Sequence, residues 1–250
     1  MIKRTLKHVR ENRKLLNEIN ERLINVQSQN AELLFADYFR DSIQNSKWVT
    51  DKGFSAFGGA ANYSLLYKLY KIYDIVKPQN VLEFGLGQTT KLSYQYAEAN
   101  PNVKIIAIDD NKDWTEIYKK QITMPKNLNI TSLALQDFRY KGEVLQKLNE
   151  YKGLNRVIGK TKFDLVIVDG PIGYDKEYSR TNIVSLSDSL AEDFIVIFDD
   201  AERIGEQRTI NIFKQELAKN NVGFEAFDIA GSKTQHYIVA SSVPRIIHLI

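Results

Sequence analysis

Cysteine is absent from all 250 residues. The chain therefore has no disulfide, no thiolate metal ligand and no cysteine nucleophile, and a reducing compartment suits it. Proline and glycine are scarce, at 5 and 13 residues, and no low-complexity tract or internal repeat interrupts the sequence. No apolar run approaches the ~20 residues of a membrane span, and the N-terminal residues lack the apolar centre of a signal peptide. A cytoplasmic protein without a transmembrane segment is expected. Charge of one sign is lacking too: a net +3 gives no field that argues for a nucleic-acid partner. His8 and His248 have no ligand partner at useful spacing, and His236 reads as a core or edge histidine. No Ser-His-Asp order, phosphate-cradling G-K-[ST] loop or basic–aromatic nucleic-acid module is present.

What is present begins with a long stretch free of both helix breakers. Residues 1 to about 45 contain neither proline nor glycine and predict a helix. Lys3, Arg4, Lys7, Arg10, Arg13 and Lys14 face one acid, Glu11, in its first fourteen residues. That excess suits a solvated helix face, with an acidic partner or membrane surface as the sharper alternative. Val9, Leu16 and Leu23 recur every seven residues. Ile19, Val26 and Leu33 fall three residues after Leu16, Leu23 and Asn30. This is an a/d seam with Asn30 at a polar a position, which predicts either a coiled coil with a partner helix or second copy, or a helix packed across the following domain. The expected organisation is a helical arm over 1–47 and one catalytic-sized domain over 48–250. Residues 48–61, from Trp48 through Phe54, Phe57, Gly58 and Gly59, predict a loop. A helix from about Asn62 to Val76 follows, stopped by Pro78.

From residue 80 onward, short apolar runs at 80–84, 103–109, 129–135, 163–169 and 193–199 alternate with segments that predict helices. Near-continuous apolar strands separated by helices imply a parallel sheet covered on both faces. Residues 223–229 and 235–241 are joined only by Ala230-Gly231-Ser232-Lys233, too short for a crossover, so these two strands must be antiparallel. The predicted fold class is α/β: a Rossmann-like, doubly wound, mostly parallel seven-stranded sheet with an antiparallel C-terminal hairpin strand, plus the N-terminal helical arm.

In such sheets ligands bind outside the carboxyl ends of the strands. The first strand ends in Glu83-Phe84-Gly85-Leu86-Gly87-Gln88-Thr89-Thr90. The second ends in Asp109-Asp110, and the third run leads to Gln136-Asp137-Phe138. Glycines at 85 and 87 let backbone approach a ligand closely. An acid about 22 residues beyond them is placed to accept hydrogen bonds from ribose hydroxyls. A dinucleotide fingerprint needs a third glycine where this chain has Thr90. The string E-x-G-x-G-x-T resembles motif I of S-adenosylmethionine (SAM)-dependent methyltransferases. That resemblance implies SAM as cofactor, held by Glu83, Gly85, Gly87, Thr89, Asp109 and Asp137, with the last near adenine.

The fourth strand ends in Asp169-Gly170-Pro171-Ile172-Gly173-Tyr174 and the fifth in Asp199-Asp200-Ala201-Glu202-Arg203. Carboxylates at the ends of buried strands require a partner, and oxygen ligands of this kind suit Mg²⁺ or Mn²⁺. Asp169, Asp199 and Asp200 are the expected metal ligands, and Asp169, Asp200 and Arg203 the expected catalytic residues. The trio resembles the metal site of the catechol O-methyltransferase group, although Asp200 stands where that group has asparagine. Over 164–205 the run D-G-P-x-G-Y, Arg180 and F-D-D-A-E-R resembles glucuronoxylan 4-O-methyltransferases and related polysaccharide-modifying proteins. The implied activity is metal-assisted O-methylation of a sugar or other small hydroxylated acceptor. On that reading Arg180 and Arg203 either grip an anionic acceptor or neutralise the local acids, and Glu202 is a further proton acceptor or a surface residue. An NAD-dependent oxidoreductase and a non-catalytic member of the fold, tethered by its arm, are the competing readings.

Overall fold

The computed structural model describes residues 2–56 and 60–240, with side chains for His8 and from Arg10 onward. Phe57, Gly58 and Gly59 of the expected loop, His248, and the side chains of Lys3, Arg4, Lys7 and Val9 lie outside the described set.

Helix α1 spans Ile2–Gln44 and changes character along its length. Every described side chain from Arg10 to Gln27 is exposed, whereas Ala36, Phe39 and Ile43 are buried against the next helix and the sheet. The last third of the arm therefore packs into the core through Phe39 and Ile43. Asn62 caps α2 (Tyr63–Lys71), its side chain accepting from the Leu65 amide. A π-helical turn over Ile72–Val76 carries the chain to Pro78.

Seven strands form one sheet. They are β1 (Asn80–Phe84), β2 (Lys104–Asp109), β3 (Leu128–Ser132), β6 (Phe163–Val168), β7 (Leu190–Phe198), β8 (Phe224–Ala230) and β9 (Thr234–Ala240), in spatial order β3-β2-β1-β6-β7-β9-β8. The first five are parallel, and β9 runs antiparallel to both β7 and β8. Short loops and right-handed crossovers require this arrangement of α/β units. The strand order reverses between β1 and β6, opening a crevice at their carboxyl ends. Side-chain alternation divides β1. Val81 and Glu83 face α1, α2 and α3 (Gln88–Ala99), while Leu82 and Phe84 face a second apolar layer containing Phe194, Ile210 and Phe213. Helices α4 (Lys112–Gln121) and α6 (Ile204–Lys219) complete the two covering layers.

The chain between β3 and β6 departs from expectation. Instead of a helix it forms a separate antiparallel pair, β4 (Leu135–Tyr140) and β5 (Glu143–Tyr151), followed by the short helix α5 (Leu154–Ile158). Lys141 and Gly142 both adopt positive φ, 51° and 90°, the backbone of a two-residue hairpin turn whose twist matches the flanking strands. The third sheet strand accordingly stops at Ser132, three residues earlier than expected.

Candidate active site

Glu83 is fully buried behind the first loop. Its carboxylate accepts from Thr89 Oγ1 at 2.6 Å, Thr90 Oγ1 at 2.8 Å and Ser93 Oγ at 2.8 Å. Burial pushes its pKa up to about 7, against the opposing pull of those three hydroxyls. One carboxyl thus fastens the first turns of α3 to β1 and fixes the loop between them. At the top of that loop Gly85 has φ 93°, and a Cβ there would stand 2.8 Å from the Asp169 carbonyl oxygen. No side chain fits where the β1 and β6 loops touch. A Cβ at Gly87, in contrast, would meet nothing within 4 Å. Gly87 opens space beside the helix N-terminus, where backbone amides favour an electron-rich ligand.

Asp109 ends β2 beside this loop. Its Oδ2 accepts from the Leu86 amide at 2.9 Å and its Oδ1 from the Asn111 amide at 2.8 Å. Trp114 Nε1 donates to the Leu86 carbonyl at 2.9 Å, fixing the indole along the wall. A cavity of about 330 Å³ runs from Gly85, Asp109, Asp110 and Trp114 to Asp169, Tyr174, Asp200 and Arg203. It lies at the switch point of the sheet, where a ligand site is expected on topology alone.

At its far end Asp169, Asp199 and Asp200 bring oxygens within 4.8 Å of one another. A buried arginine and a half-buried lysine already bridge them. Arg180 Nη2 donates to Asp169 Oδ1 at 3.2 Å and to Asp200 Oδ2 at 2.5 Å, while Nη1 donates to the carbonyls of Val168 and Asp199. Lys233 Nζ lies 3.0 Å from Asp199 Oδ2 and 3.3 Å from Asp200 Oδ1. Arg203 adds a third contact, 2.9 Å to Asp200 Oδ1, and stacks 4.2 Å from the Tyr174 ring centroid. Asp199 Oδ1 accepts from Gln235 Nε2 at 2.8 Å. Burial acts to raise the pKa of Asp200, yet Arg180, Lys233 and Arg203 outweigh it and hold the group below the usual carboxylate value. Asp169 is held well above that value, chiefly by burial and then by the Asp199 charge.

The expected residues do not all meet in one place. Gly85, Asp109, Asp169, Asp200 and Arg203 line one cavity. Glu83 and Thr89 do not: they bond each other beneath the loop, a supporting place rather than a contact with the cavity. Gly87 borders a neighbouring depression with Gln88, Lys91 and Tyr118. Asp137 does not line this cavity; it lies in β4 of the hairpin and accepts from the Leu148 amide at 3.2 Å. Asp199 sits behind the cavity, buried under Gln235 and Lys233. Arg180, 3% exposed, also lines the cavity; Nη2 pairs with Asp169 and Asp200 and Nη1 with two backbone carbonyls, the neutralising contacts expected for it, while Nε has no hydrogen-bond partner among the described residues. Glu202 accepts from the Thr234 amide at 2.8 Å. His236 pairs with Asp228 at 2.5 Å against Phe198, away from the cavity.

Sequence reasoning did not single out Lys233, Gln235, Glu206 or Tyr151. Glu206 is fully buried, 3.8 Å from Arg180 and 3.7 Å from Arg203. Tyr151 buries its hydroxyl, without a partner among the described residues, beneath Gly170. The one local signal was the position of Lys233 in a tight turn beside the sheet edge.

The loop glycines, the open space at Gly87 and the Asp109 carboxylate suit SAM. The acid trio suits a divalent cation less well. Such an ion needs several free oxygens in its coordination shell. Here Asp199 accepts from Lys233 and Gln235, and Asp200 Oδ2 from Arg180, while Asp200 Oδ1 accepts no hydrogen bond among the described residues but lies 2.9 Å from Arg203 Nη2 and 3.3 Å from Lys233 Nζ, so a cation or an amide already faces each of these oxygens.

No protein-family model matches the sequence, and no curated relative does. Solved structures share its architecture. An O-methyltransferase from Bacillus cereus in complex with SAH is 14% identical and aligns over 87% of this chain and 100% of its own, with a TM-score of 0.52. A Klebsiella pneumoniae structure described as that of an O-methyltransferase is 10% identical, covering 88% and 100% of the two chains, with a TM-score of 0.52. The chain has the fold of these class I methyltransferases.

Proposed function

We propose that this protein is a SAM-dependent O-methyltransferase acting on a small hydroxylated acceptor, with a sugar hydroxyl as the preferred class. The observation that carries the reading is the single cavity joining the Gly85 loop and Asp109 to Asp169, Asp200 and Arg203. The solved neighbour that holds SAH on the same fold adds support. SAM supplies a methyl group activated by its sulfonium charge.

The chain's own groups divide the remaining work. Each oxygen of the Asp109 carboxylate has a second lone pair beyond the loop amides, available to ribose hydroxyls. The fixed Trp114 ring offers an apolar face to the base beside Asp110 and Asn111. At the other end, Asp169 lines the cavity and keeps one oxygen without a donor among the described residues, which fits it to take the proton leaving the acceptor hydroxyl. Arg203 and Tyr174 form a stacked rim, and Ile172 and Tyr174 are exposed beside it, an amphipathic lip of the kind that sugars pack against. Resemblance to polysaccharide-modifying enzymes over 164–205 favours a sugar over a catechol. A divalent cation, expected from the sequence, has no part in this reading, because Arg180, Lys233 and Arg203 already pair with the donor set.

The test is methyl transfer from isotope-labelled SAM to a panel of uronic acids, sugar nucleotides and catechols, read by mass spectrometry. Label on a sugar oxygen is the expected result. Label only on catechols would replace the acceptor class, and label only on nitrogen or carbon would remove the O-methyltransferase assignment.

A further inference from the structure

We infer that Lys233 and Arg180 are built-in cations that hold the strand-end carboxylates in place of a divalent metal, so that this site works without one. The inference deepens the methyltransferase reading and rests on it for the meaning of "works", but the binding argument stands on the contacts alone.

The two cations divide the trio between them. Arg180 bridges Asp169 and Asp200, and Lys233 bridges Asp200 and Asp199. Arg203 makes the third cationic contact, on Asp200 Oδ1. Each of the three carboxylates therefore meets at least one side-chain cation, although Glu206 shares Arg180 and Arg203 with them, and the charge that would draw in a divalent ion is reduced before one arrives. An ion entering the trio would have to stand beside an ammonium and a guanidinium that share its ligands. Asp199, needed as the third ligand, does not line the cavity and is 1% exposed.

Neither cation is a loose side chain. Arg180 is 3% exposed, adopts a left-handed backbone at φ 58°, and gives two further hydrogen bonds to the carbonyls of Val168 and Asp199. A non-glycine residue in that region persists where its surroundings hold it. Lys233 sits in the β8–β9 turn, which α1 clamps. Ser28 Oγ donates to the Gly231 carbonyl, and Glu32 accepts from the Ser232 amide at 3.1 Å and from Asn62 Nδ2 at 2.9 Å. A Cβ at Gly231 would lie 2.6 Å from Glu32 Oε2 and 2.8 Å from Ser64 Oγ, so a larger residue there would push the Glu32 carboxylate and Ser64 off the turn. Asn62 passes the connection to Gln235 at 3.0 Å, and Gln235 to Asp199 at 2.8 Å. The long helix thus positions the lysine and its acid together, a role beyond the packing foreseen for it.

The experiment titrates Mn²⁺ alone into the full-length protein and follows loss of the free-ion electron paramagnetic resonance signal. Wild type should leave the signal unchanged up to millimolar Mn²⁺. Lys233→Ala, which frees Asp199 and part of Asp200, should bind Mn²⁺ at least tenfold more tightly than wild type, and Asp200→Asn in that background should abolish the gain. Micromolar Mn²⁺ binding by wild type, lost in Asp200→Asn, would overturn the inference. So would a Lys233→Ala protein with a native near-ultraviolet dichroism spectrum and no gain in Mn²⁺ binding. SAM binding measured on the same samples separates the two claims. Failure to bind SAM removes the methyltransferase reading, whereas Mn²⁺ uptake by wild type removes only the built-in cations.

Discussion

Glu83 shows what a single carboxyl does when buried for position rather than chemistry. Three hydroxyls satisfy it, and burial still holds its pKa at about 7, above the ordinary 4.5. The sign of the linkage follows. The unfolded chain loses this proton near 4.5 and the folded chain near 7, so the folded state binds more protons between those values. The stabilising contribution is fully present below pH 4.5 and is lost as pH rises through about 7. Relative to Glu83→Gln, which has no titrating group there, wild type should lose roughly 3 kcal/mol between those limits, measured by urea unfolding at each pH. A constant difference would show that Glu83 is not the buried acid described. The E-x-G-x-G-x-T string announced that this acid mattered. It did not distinguish an acid facing the ligand from one facing Thr89 and Ser93, because strand alternation fixes that only once the neighbouring helix is placed.

Among the elements, α1 carries two jobs on one helix. From Arg10 to Gln27 it is solvated, with Leu16, Ile19, Leu23 and Val26 each about half or more exposed. From Ser28 onward it clamps the β8–β9 turn and buries Phe39 and Ile43. Removing residues 1–27 should shift the melting temperature by no more than about 2 °C, while removing 1–45 should lower it by ~10 °C or more through the lost core side chains. Scanning calorimetry of the two truncations checks both. Sedimentation of the 28–250 protein beside full length tests the expected heptad seam: a halved mass would support pairing with a second copy, and equal masses would count against it. The heptads were legible in the sequence, but the change of role near residue 28 was not, because Glu32 and Ser28 find partners some 30 and 200 residues away. The β4–β5 hairpin was missed for a local reason. Phe138, Leu145 and Leu148 mimic helical spacing, and the signal against a helix was the Lys141-Gly142 pair alone.

For the molecule as a whole, the parallel sheet and its antiparallel ending were legible because buried strands and a four-residue connection allow few alternatives. The strand-end acids were legible for the same reason. Their partners were not: Lys233 lies 34 residues from Asp199 along the chain, and only the folded sheet edge brings ammonium to carboxylate. Sequence therefore located a charged site and suggested a metal, while the fold supplied the cations. Calorimetric titration of the full-length protein with SAM and, separately, with NADH tests the central claim. Micromolar binding of SAM, unchanged by excess chelator, and no heat from NADH are expected. Binding of NADH without SAM would contradict it, and heat from neither would leave the arm-tethered, non-catalytic reading in its place.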